Sequence, residues 1–245
     1  MADFFNQLKN ILFLDIETAT STENFDELDP RLQAEWLLRH RRNGDDSISP
    51  QAYYSDKGAI FAEFGQVICI GVGYIIFNPE TEKFQFRTKS FAADSENETL
   101  WEFRELLERK NWTLCAHNGK EFDFPYLCRR MLINQIPLPN ALQMAGKKPW
   151  EINHLDTLEL WKFGDYKHYT RLDLLTALFG IPSPKEDIDG SKVNETYYKQ
   201  KGLNIIRSYC LRDVEATARV YLAYQGLPSD LEMEVFNLDT PQVEN

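Results

Sequence analysis

The chain lacks a long apolar run and has little cysteine, and each shortage excludes a class of protein. Its first apolar run, 11–14, is far shorter than the ~20 residues of a membrane-spanning helix and is followed at once by Asp15. It therefore predicts neither a membrane span nor a signal peptide. The four cysteines lack the spacing of metal ligands, which predicts reduced, mostly buried thiols, a cytoplasmic location and no zinc site. They are Cys69, Cys115, Cys128 and Cys210.

The first predicted strand, 10–17, carries two carboxylates on one face. Because side chains alternate across a strand, Asp15 and Glu17 project on the same side, in line with Ile11 and Phe13. At ~4 Å and an effective dielectric of roughly 20, the two charges repel by about 4 kcal/mol, which favours a divalent cation beside them. The alternative is a strand that ends in an acidic loop by chance.

A third carboxylate, Asp123, stands at the start of a predicted helix, 124–133, which follows a predicted strand at 112–117. Asp is a favoured residue at a helix N-terminus, and a proline in the first turn also fits that position. Helix capping therefore explains Asp123 at least as well as chemistry does. Asn118 and Phe122, just before it, are likewise explained as a turn residue and a core aromatic.

Tyr209 and Asp213 lie one helical turn apart in the segment 202–225, which has the apolar spacing of an amphipathic helix. Positions i and i+4 share a helix face, so the two side chains project together from or beside the apolar stripe. A carboxylate there is costly to desolvate unless a cation or strong hydrogen bonds compensate it. Taken alone, the pair is also explained by a core tyrosine beside a surface aspartate.

The three motifs, Asp-x-Glu, Asn-x-x-x-Phe-Asp and Tyr-x-x-x-Asp, occur in an order that resembles the DEDD superfamily of 3′–5′ exonucleases. The segments 15–18, 64–71 and 118–127 closely resemble the proofreading exonuclease domain of family B DNA polymerases. The likeness is closer still to the stand-alone predicted bacterial exonucleases related to that domain. Ser208 stands five residues before Asp213, where the histidine branch has its histidine, so the resemblance is to the tyrosine branch.

The resemblance implies an α/β fold of the ribonuclease H-like type, with a mixed five-stranded sheet flanked by helices and a helical insertion after the first strand. We predict one exonuclease domain at 1–228, with the insertion at about 20–62, and an acidic tail at 229–245. The tail has no core pattern, which predicts either disorder or a docking segment for a protein partner. The predicted strands lie at 10–17, 66–77, 83–91 and 112–117, and the predicted helices at 95–109, 124–133, 157–163, 171–179 and 192–224, the last broken at Gly202.

The resemblance also implies a reaction and the residues that perform it. The reaction is hydrolysis of phosphodiester bonds from a free 3′ end of nucleic acid, with single-stranded DNA favoured and 5′-mononucleotides as products. Two divalent cations, Mg²⁺ or Mn²⁺, would stabilise the attacking and leaving oxygens of an in-line displacement. The implied metal ligands are Asp15, Glu17, Asp123 and Asp213, with Tyr209 as the fifth catalytic residue, which orients the attacking water. The implied substrate contacts are Thr18, Asn118 and Phe122.

Two alternatives to this enzyme remain. One is a catalytically silent or partner-dependent nucleic-acid-binding module on the same fold, although its usual mark, a lost metal ligand, is absent from the sequence. The other is a related metal-dependent nuclease that cuts internally. Degradation of linear but not of circular substrate distinguishes the exonuclease from the latter.

Basic residues are fewer than acidic ones, 27 against 38, so the net charge is −11. Such a charge slows encounter with phosphate at long range and argues against a protein that coats nucleic acid through a basic surface. Cations held by the acidic motifs would reverse the sign locally. Basic residues are interleaved with aromatic ones at 147–150 and 162–171, so these stretches are candidates for contact with a strand, although a solvated surface explains each of them too.

Overall fold

The structure, a computed structural model, describes residues 7–43, 47–79, 81, 83–165, 167–183, 190–228 and 231–239. Its strands are β1 (Ile11–Thr20), β2 (Gly65–Asn78), β3 (Lys83–Phe91), β4 (Thr113–Ala116), β5 (Leu155–Asp156) and β6 (Met233–Asn237). They form one mixed sheet in the order β5-β4-β1-β2-β3-β6. The neighbours β1–β2 and β2–β3 are antiparallel, whereas β1–β4, β4–β5 and β3–β6 are parallel.

The helices cover the sheet and fill the insertion after β1. They are α1 (Pro30–Asn43), α2 (Pro50–Lys57), α3 (Glu96–Glu108), α4 (Asp123–Ile133), α5 (Thr157–Lys162), α6 (Leu172–Phe179), α7 (Val193–Gln200) and α8 (Leu203–Tyr224). Each helix outside the insertion begins and ends within two residues of its predicted bounds. Within the described part of the chain, no helix is both long and apolar enough to cross a membrane.

The central position of β1 follows from its apolar run, which is buried on both faces. Leu12 and Leu14 pack in an apolar cluster with α3 and α4. Ile11 and Phe13 pack in a second cluster with α8, on the other face. A strand that is covered on both sides has a continuous apolar sequence rather than an alternating one. The two acids that follow this run are therefore held at a rigid, buried place in the fold.

The predicted fold class is confirmed, because the sheet is mixed, is flanked by helices and has α1 and α2 inserted after β1. The predicted number of strands is wrong, since the described residues form a sheet of six strands rather than five. The additional strand, β6, lies in the segment for which the sequence predicts disorder or docking. It pairs in parallel with β3, and beyond it Asp239 Oδ2 accepts hydrogen bonds from the amide and hydroxyl of Ser90 at 2.8 and 2.6 Å. Residues 240–245 lie outside the described residues.

The break predicted at Gly202 separates α7 from α8. Lys201 adopts a left-handed conformation with φ of 49°, which ends α7. A Cβ atom on Gly202 would lie 2.6 Å from Cγ2 of Thr196, so only glycine fits there without a shift of its neighbours. The turn sets the direction in which α8 crosses the sheet, and α8 carries Tyr209 and Asp213.

The insertion has an apolar cluster of its own and packs back on the main domain. Trp36 is fully buried there, its ring centroid lies 4.9 Å from that of Phe64, and its indole nitrogen donates to the Pro50 carbonyl at 2.9 Å. The Tyr126 hydroxyl of α4 donates to the Ala59 carbonyl at 2.9 Å and so joins the end of the insertion to the domain.

Candidate active site

The sequence-predicted acids converge where α8 crosses the C-terminal half of β1. Asp15 and Glu17 lie opposite Gly71 and Cys69 in the antiparallel pairing with β2. Asp123 begins α4, which follows the neighbouring parallel strand β4. The charges of Asp213 and Asp123 both act on Asp15 and on Glu17, so the four carboxylates form one electrostatic cluster.

Gly71 allows α8 to approach the sheet closely at this point. A Cβ atom at position 71 would lie 2.8 Å from Sγ of Cys210 and 3.0 Å from Cγ2 of Val214. Both side chains belong to α8, so any larger residue would push the helix away from β1 and β2. The absence of a side chain at Gly71 therefore brings Tyr209 and Asp213 within reach of the acids of β1.

The pairing of β1 with β2 is irregular immediately after the two acids. Glu17 pairs with Cys69 and Thr18 with Val67, so Ile68 is an extra residue on β2. Such a bulge re-aims the side chains around it and is frequent beside active sites. The hydroxyl of Thr18 here contacts the phenol of Tyr126.

The side chain of Asp123 is hydrogen-bonded to β1, the strand that carries Asp15 and Glu17. Its Oδ1 accepts a hydrogen bond from the amide of Ile16, between Asp15 and Glu17, at 3.1 Å. Asp123 is the first residue of α4 and Phe122 is the cap, with no side-chain capping bond. The carboxylate is thus directed at β1, and helix capping does not account for it.

Tyr209 and Asp213 lie together on α8, as their spacing predicts. Tyr209 is buried, and its hydroxyl forms a hydrogen bond with Asp213. Burial and the charges of Asp213, Glu17 and Asp15 raise the pKa of Tyr209 far above its ordinary value. The phenol is therefore neutral near pH 7 and acts as a hydrogen-bond donor. Ser208, at the position of the histidine of the other branch, donates to the Asn204 carbonyl of its own helix.

The buried carboxylates repel one another, and a bound cation would offset this repulsion. Burial, followed by the charges of Glu17, Asp213 and Asp123, raises the pKa of Asp15 well above its usual range. Burial and the charge of Asp213 do the same to the pKa of Glu17. Burial also raises the pKa of Asp123 to about 7, although the amide of Ile16 acts in the opposite direction. Buried like charges in contact favour protonation or a bound cation.

One oxygen of this cluster is left without a partner. Oδ2 of Asp15 is buried and accepts no hydrogen bond from any of the described residues. A buried polar atom of this kind is costly, and in native proteins it is normally paired with protein, water or an ion. All four acids offer oxygen ligands, the kind that Mg²⁺ and Mn²⁺ prefer. The donor set and the unpaired oxygen therefore fit a hard divalent cation.

The structure adds Cys210, which sequence spacing did not indicate as a ligand. Sγ of Cys210 and a carboxylate oxygen each from Asp15 and Glu17 lie within 4.8 Å of one another. Cys210 comes from α8 and the two acids from β1, so no local motif joins them. The sequence signal that could have indicated Cys210 is its place directly after Tyr209 in the chain.

Asp156 fixes the loop that presents Asp123. It caps α5 by accepting hydrogen bonds from the amides of Leu158 and Glu159. It also accepts from the amide of Asn118 at 2.9 Å and from that of Lys120 at 3.0 Å. Asp156 is buried, and its four N–H partners hold two loops together at the ends of β4 and β5.

We expect Asp156→Asn to lower the free energy of unfolding by about 1–3 kcal/mol, because an amide leaves a buried donor unpaired. The amide keeps the shape of the carboxylate but places an NH₂ group beside backbone N–H donors. Urea unfolding measures the change. Asp165→Asn is the control, since its exposed carboxylate accepts from the nearby amide of Lys167 at 3.0 Å and lies 3.5 Å from Nε2 of the exposed His168, and the loss of its charge has little effect. Equal losses for the two variants would contradict the role of Asp156.

The three predicted substrate contacts lie near the acids along the chain. Thr18 is partly exposed at the bulge beside Glu17. Asn118 follows β4 in a left-handed conformation with φ of 67°, and its carbonyl accepts from the amides of Glu121 and Phe122. Phe122 is partly exposed, with its ring centroid 5.4 Å from that of Tyr126. Thr18 and Phe122 thus adjoin Glu17 and Asp123 in the chain, Asn118 lies in the loop before α4, and part of each surface is open.

Comparison with known families adds a match to a family described as a predicted 3′–5′ exonuclease related to the exonuclease domain of PolB. The match covers residues 62–245, three quarters of the 245 residues. The chain belongs to this family. The matched region contains Asp123, Tyr209 and Asp213 but begins after Asp15 and Glu17, which reach the same place through the pairing of β1 with β2.

Membership in this predicted exonuclease family identifies the chain, at a coarse level, as a nuclease of the hydrolase class. Nucleic acid is the substrate that the family implies, and exonucleases of this kind use divalent metal ions. The family therefore agrees with the carboxylate cluster in the structure.

The raised pKa values predict that the metal-free protein loses stability as the pH rises from about 4 to about 7, between the unfolded pKa of a carboxyl group and the native pKa of Asp123. The carboxyls of Asp15, Glu17 and Asp123 have raised pKa values in the native state. In the unfolded chain they ionise near pH 4, so their stabilising effect is complete below about pH 4 and is lost as the pH rises through the native pKa. Thermal melts with a chelator test this, and Mg²⁺ should restore stability at pH 8. A melting temperature that rises with pH without metal would contradict the prediction.

Proposed function

We propose that the protein is a metal-dependent 3′–5′ exonuclease that hydrolyses nucleic acid from a free 3′ end and releases 5′-mononucleotides. The observation that carries this proposal is the convergence of three sequence motifs on one buried site. Asp15 and Glu17 come from β1, Asp123 from the start of α4, and Tyr209 and Asp213 from α8. Chance does not account for acids from three distant segments that are desolvated together, because each buried charge costs stability.

The four carboxylates would hold two ions, Mg²⁺ or Mn²⁺. When bound, the ions supply charge stabilisation to the attacking and leaving oxygens of an in-line displacement at phosphorus. The protein holds the acids in place before any ion arrives, because Asp123 is tied to the amide of Ile16 and β1 is covered on both faces. Rigid ligands of this kind limit the reorganisation that metal and substrate binding requires.

Tyr209 acts as a donor and not as the base. Its pKa is raised far above the ordinary value of about 10, so the hydroxyl keeps its proton at neutral pH. In the structure this hydroxyl is hydrogen-bonded to Asp213. From this position it orients the attacking water or a phosphate oxygen of the scissile bond. The proton of the attacking water passes to solvent or to a carboxylate of the site.

Thr18, Asn118 and Phe122 contact the 3′-terminal nucleotide in this proposal. Thr18 stands beside Glu17 and seats the 3′-hydroxyl with its own hydroxyl group. The partly exposed ring of Phe122 packs against the terminal base, since stacking on aromatic rings tolerates any base. Asp156 fixes the left-handed backbone at Asn118. In this proposal the amide side chain of Asn118 contacts the nucleotide at the rim of the site.

Single-stranded DNA is the favoured substrate. Glu17 and Asp123 are 7% and 4% exposed, so the scissile phosphate must enter a recess. A flexible single strand reaches such a recess directly, whereas a paired end has to separate first. Exposed aromatic side chains accompany cations at the two predicted contact stretches, where Trp150 is 75% exposed with the Lys148 ammonium 5.2 Å from its ring centroid. Contacts between these cations and the phosphates of a bound strand would make binding sensitive to salt.

Circular and linear single-stranded DNA of the same sequence test the proposal. With Mg²⁺ or Mn²⁺, the linear strand should be converted to mononucleotides while the circle stays intact. A cut circle would identify an internal nuclease instead. Binding of both substrates without cleavage of either would identify a silent or partner-dependent nucleic-acid-binding module.

A further inference from the structure

A pair of thiols lies directly behind the acids of β1. Cys69 of β2 and Cys210 of α8 are fully buried and contact each other. Sγ of Cys210 accepts a hydrogen bond from the amide of Gly71 at 3.1 Å and donates to the carbonyl of Asp15 at 3.4 Å. Cys69 stands opposite Glu17 in the strand pairing. Sulfur therefore borders the acidic cluster on its interior side.

The geometry of these donors suits a single ion. The Cys210 sulfur and the carboxylate oxygens of Asp15 and Glu17 lie within 4.8 Å of one another. Donors around a tetrahedral ion with bonds of about 2.0–2.3 Å stand roughly 3.3–3.8 Å apart. Small side-chain rotations thus bring the three donors into one coordination sphere without movement of β1 or α8.

A second observation points to a ligand in the same place. Oδ2 of Asp15 is buried and has no hydrogen-bond partner among the described residues. The other contacts of the three side chains are already defined, with the amide of Gly71 on the sulfur and the carboxyl groups of Asp15 and Glu17 in contact with each other. An ion bound at this oxygen supplies the partner that the oxygen lacks, so its binding stabilises the site most there.

We propose that Cys210 joins Asp15 and Glu17 to form a site for a thiophilic divalent cation such as Zn²⁺ or Cd²⁺. Magnesium prefers oxygen ligands, whereas these ions also accept thiolate sulfur, so one set of side chains distinguishes two classes of cation. A thiophilic ion on Asp15 and Glu17 occupies ligands that the exonuclease reaction needs. It therefore inhibits the enzyme, and this consequence, unlike the binding itself, rests on the proposed function.

Binding forms a metal–sulfur bond and releases the thiol proton to water. The sulfur gives up its weak donation to the carbonyl of Asp15 and keeps the hydrogen bond from the amide of Gly71. That amide stabilises the thiolate from behind. Cys69, in contact with the same sulfur, is placed to support it as a neighbour or as a fourth ligand.

Cadmium titration of the metal-free protein tests the binding, because a cadmium–thiolate bond gives a charge-transfer absorption in the ultraviolet. We expect the absorption in the wild-type protein, its loss in Cys210→Ser, and its retention in Cys128→Ser, whose partly buried thiol belongs to α4. Cys69→Ser should weaken the band without abolishing it if Cys69 is a ligand. A band that is absent from the wild type, or that survives in folded Cys210→Ser, overturns the proposal.

Melting curves confirm that each variant is folded, and Cys210→Ala serves as a second variant should the serine protein be unstable. Inhibition is then measured with Zn²⁺ or Cd²⁺ at fixed Mg²⁺, relative to each variant's own activity in Mg²⁺ alone. Loss of the thiolate should raise the inhibitory concentration by at least roughly tenfold, the lower end of what even outer-shell partners contribute to metal affinity. Equal inhibition of wild type and Cys210→Ser counts against the site.

The two proposals fail in different ways. A cadmium–thiolate band that depends on Cys210, in a protein without nuclease activity, supports the thiophilic site and counts against the exonuclease. Nuclease activity in a protein without the cadmium–thiolate band supports the exonuclease and counts against the thiophilic site. Both readouts use the same preparations, so the comparison is direct.

Discussion

Asp15→Asn should lower nuclease activity by at least roughly 10²-fold, in line with the loss of one preorganised electrostatic group, while it makes the metal-free protein more stable. The negative charge of Asp15 is needed to bind the cations of the reaction, whereas without cations its repulsion by the other acids destabilises the fold. Activity and stability therefore change in opposite directions. Asp15 is repelled by Glu17, Asp213 and Asp123, and its Oδ2 has no hydrogen-bond partner in the part of the chain that the structure describes. A neutral amide removes the repulsion and can donate to the carboxylate of Glu17, with which position 15 is in contact.

The stability change is measured by thermal melts at pH 8 with and without Mg²⁺. Removal of about 1–2 kcal/mol of repulsion corresponds to a rise of roughly 2–8 °C for a protein of this size without metal. The stabilisation by Mg²⁺ should largely vanish in the variant, since a ligand stabilises the native state only as far as it binds. Asp26→Asn, at an exposed position, is the matched control and should change neither quantity. A variant that is destabilised without metal, or that keeps the full response to Mg²⁺, contradicts the site.

Arg130→Met should cost about 3–5 kcal/mol of unfolding free energy, the usual effect of removing one partner from a buried ion pair. Arg130 Nε and Nη2 contact the two carboxylate oxygens of Glu96 at 2.8 and 2.5 Å, and Nη1 donates to the carbonyl of Ala62 at 2.8 Å. The side chains of Arg130 and Glu96 are 10% and 9% exposed. The pair joins α3, which carries Glu96, to α4, which carries Arg130, and the bond to Ala62 adds the end of the insertion. Glu96 also accepts from the amide of Val67 on β2.

A surface pair provides the comparison for Arg130. Lys199 and Glu195 form an i,i+4 contact of 3.3 Å on α7 with side chains 67% and 55% exposed, so Lys199→Met should cost less than about 0.5 kcal/mol. Urea unfolding of both variants gives the two values. The addition of Glu96→Gln to Arg130→Met should recover part of the loss, because the buried carboxylate is then no longer left without its main partner. Equal, small losses for the two single variants would show that the buried pair is energetically like a surface pair.

The periodicity of the sequence was sufficient for the local geometry of the site. Alternation along β1 put Asp15 and Glu17 on one face, and helical spacing put Tyr209 beside Asp213. That these pairs meet Asp123 followed from the family resemblance and not from periodicity. Patterns of period 2 or 3.6 describe one element at a time and do not specify which elements touch.

Features that depend on the packing of distant segments were not predicted. The contact of Cys210 with Gly71 joins residues 139 apart in the chain. The bonds of Asp156 to the amides of Asn118 and Lys120 exist only because β4 and β5 lie side by side. The strand β6 is held to β3 by backbone pairing with little burial, so it left no hydrophobic pattern to detect.

The central claim is that Asp15, Glu17, Asp123, Tyr209 and Asp213 form one metal-dependent centre that acts on 3′ ends. The most direct measurement is a time course on 5′-labelled linear single-stranded DNA with Mg²⁺ or Mn²⁺, for the wild type and for Asp213→Asn. The account predicts a ladder that shortens progressively from the 3′ end, requires the metal and is absent in the variant. Immediate release of the labelled 5′ nucleotide, or a ladder that persists unchanged in folded Asp213→Asn, would contradict it.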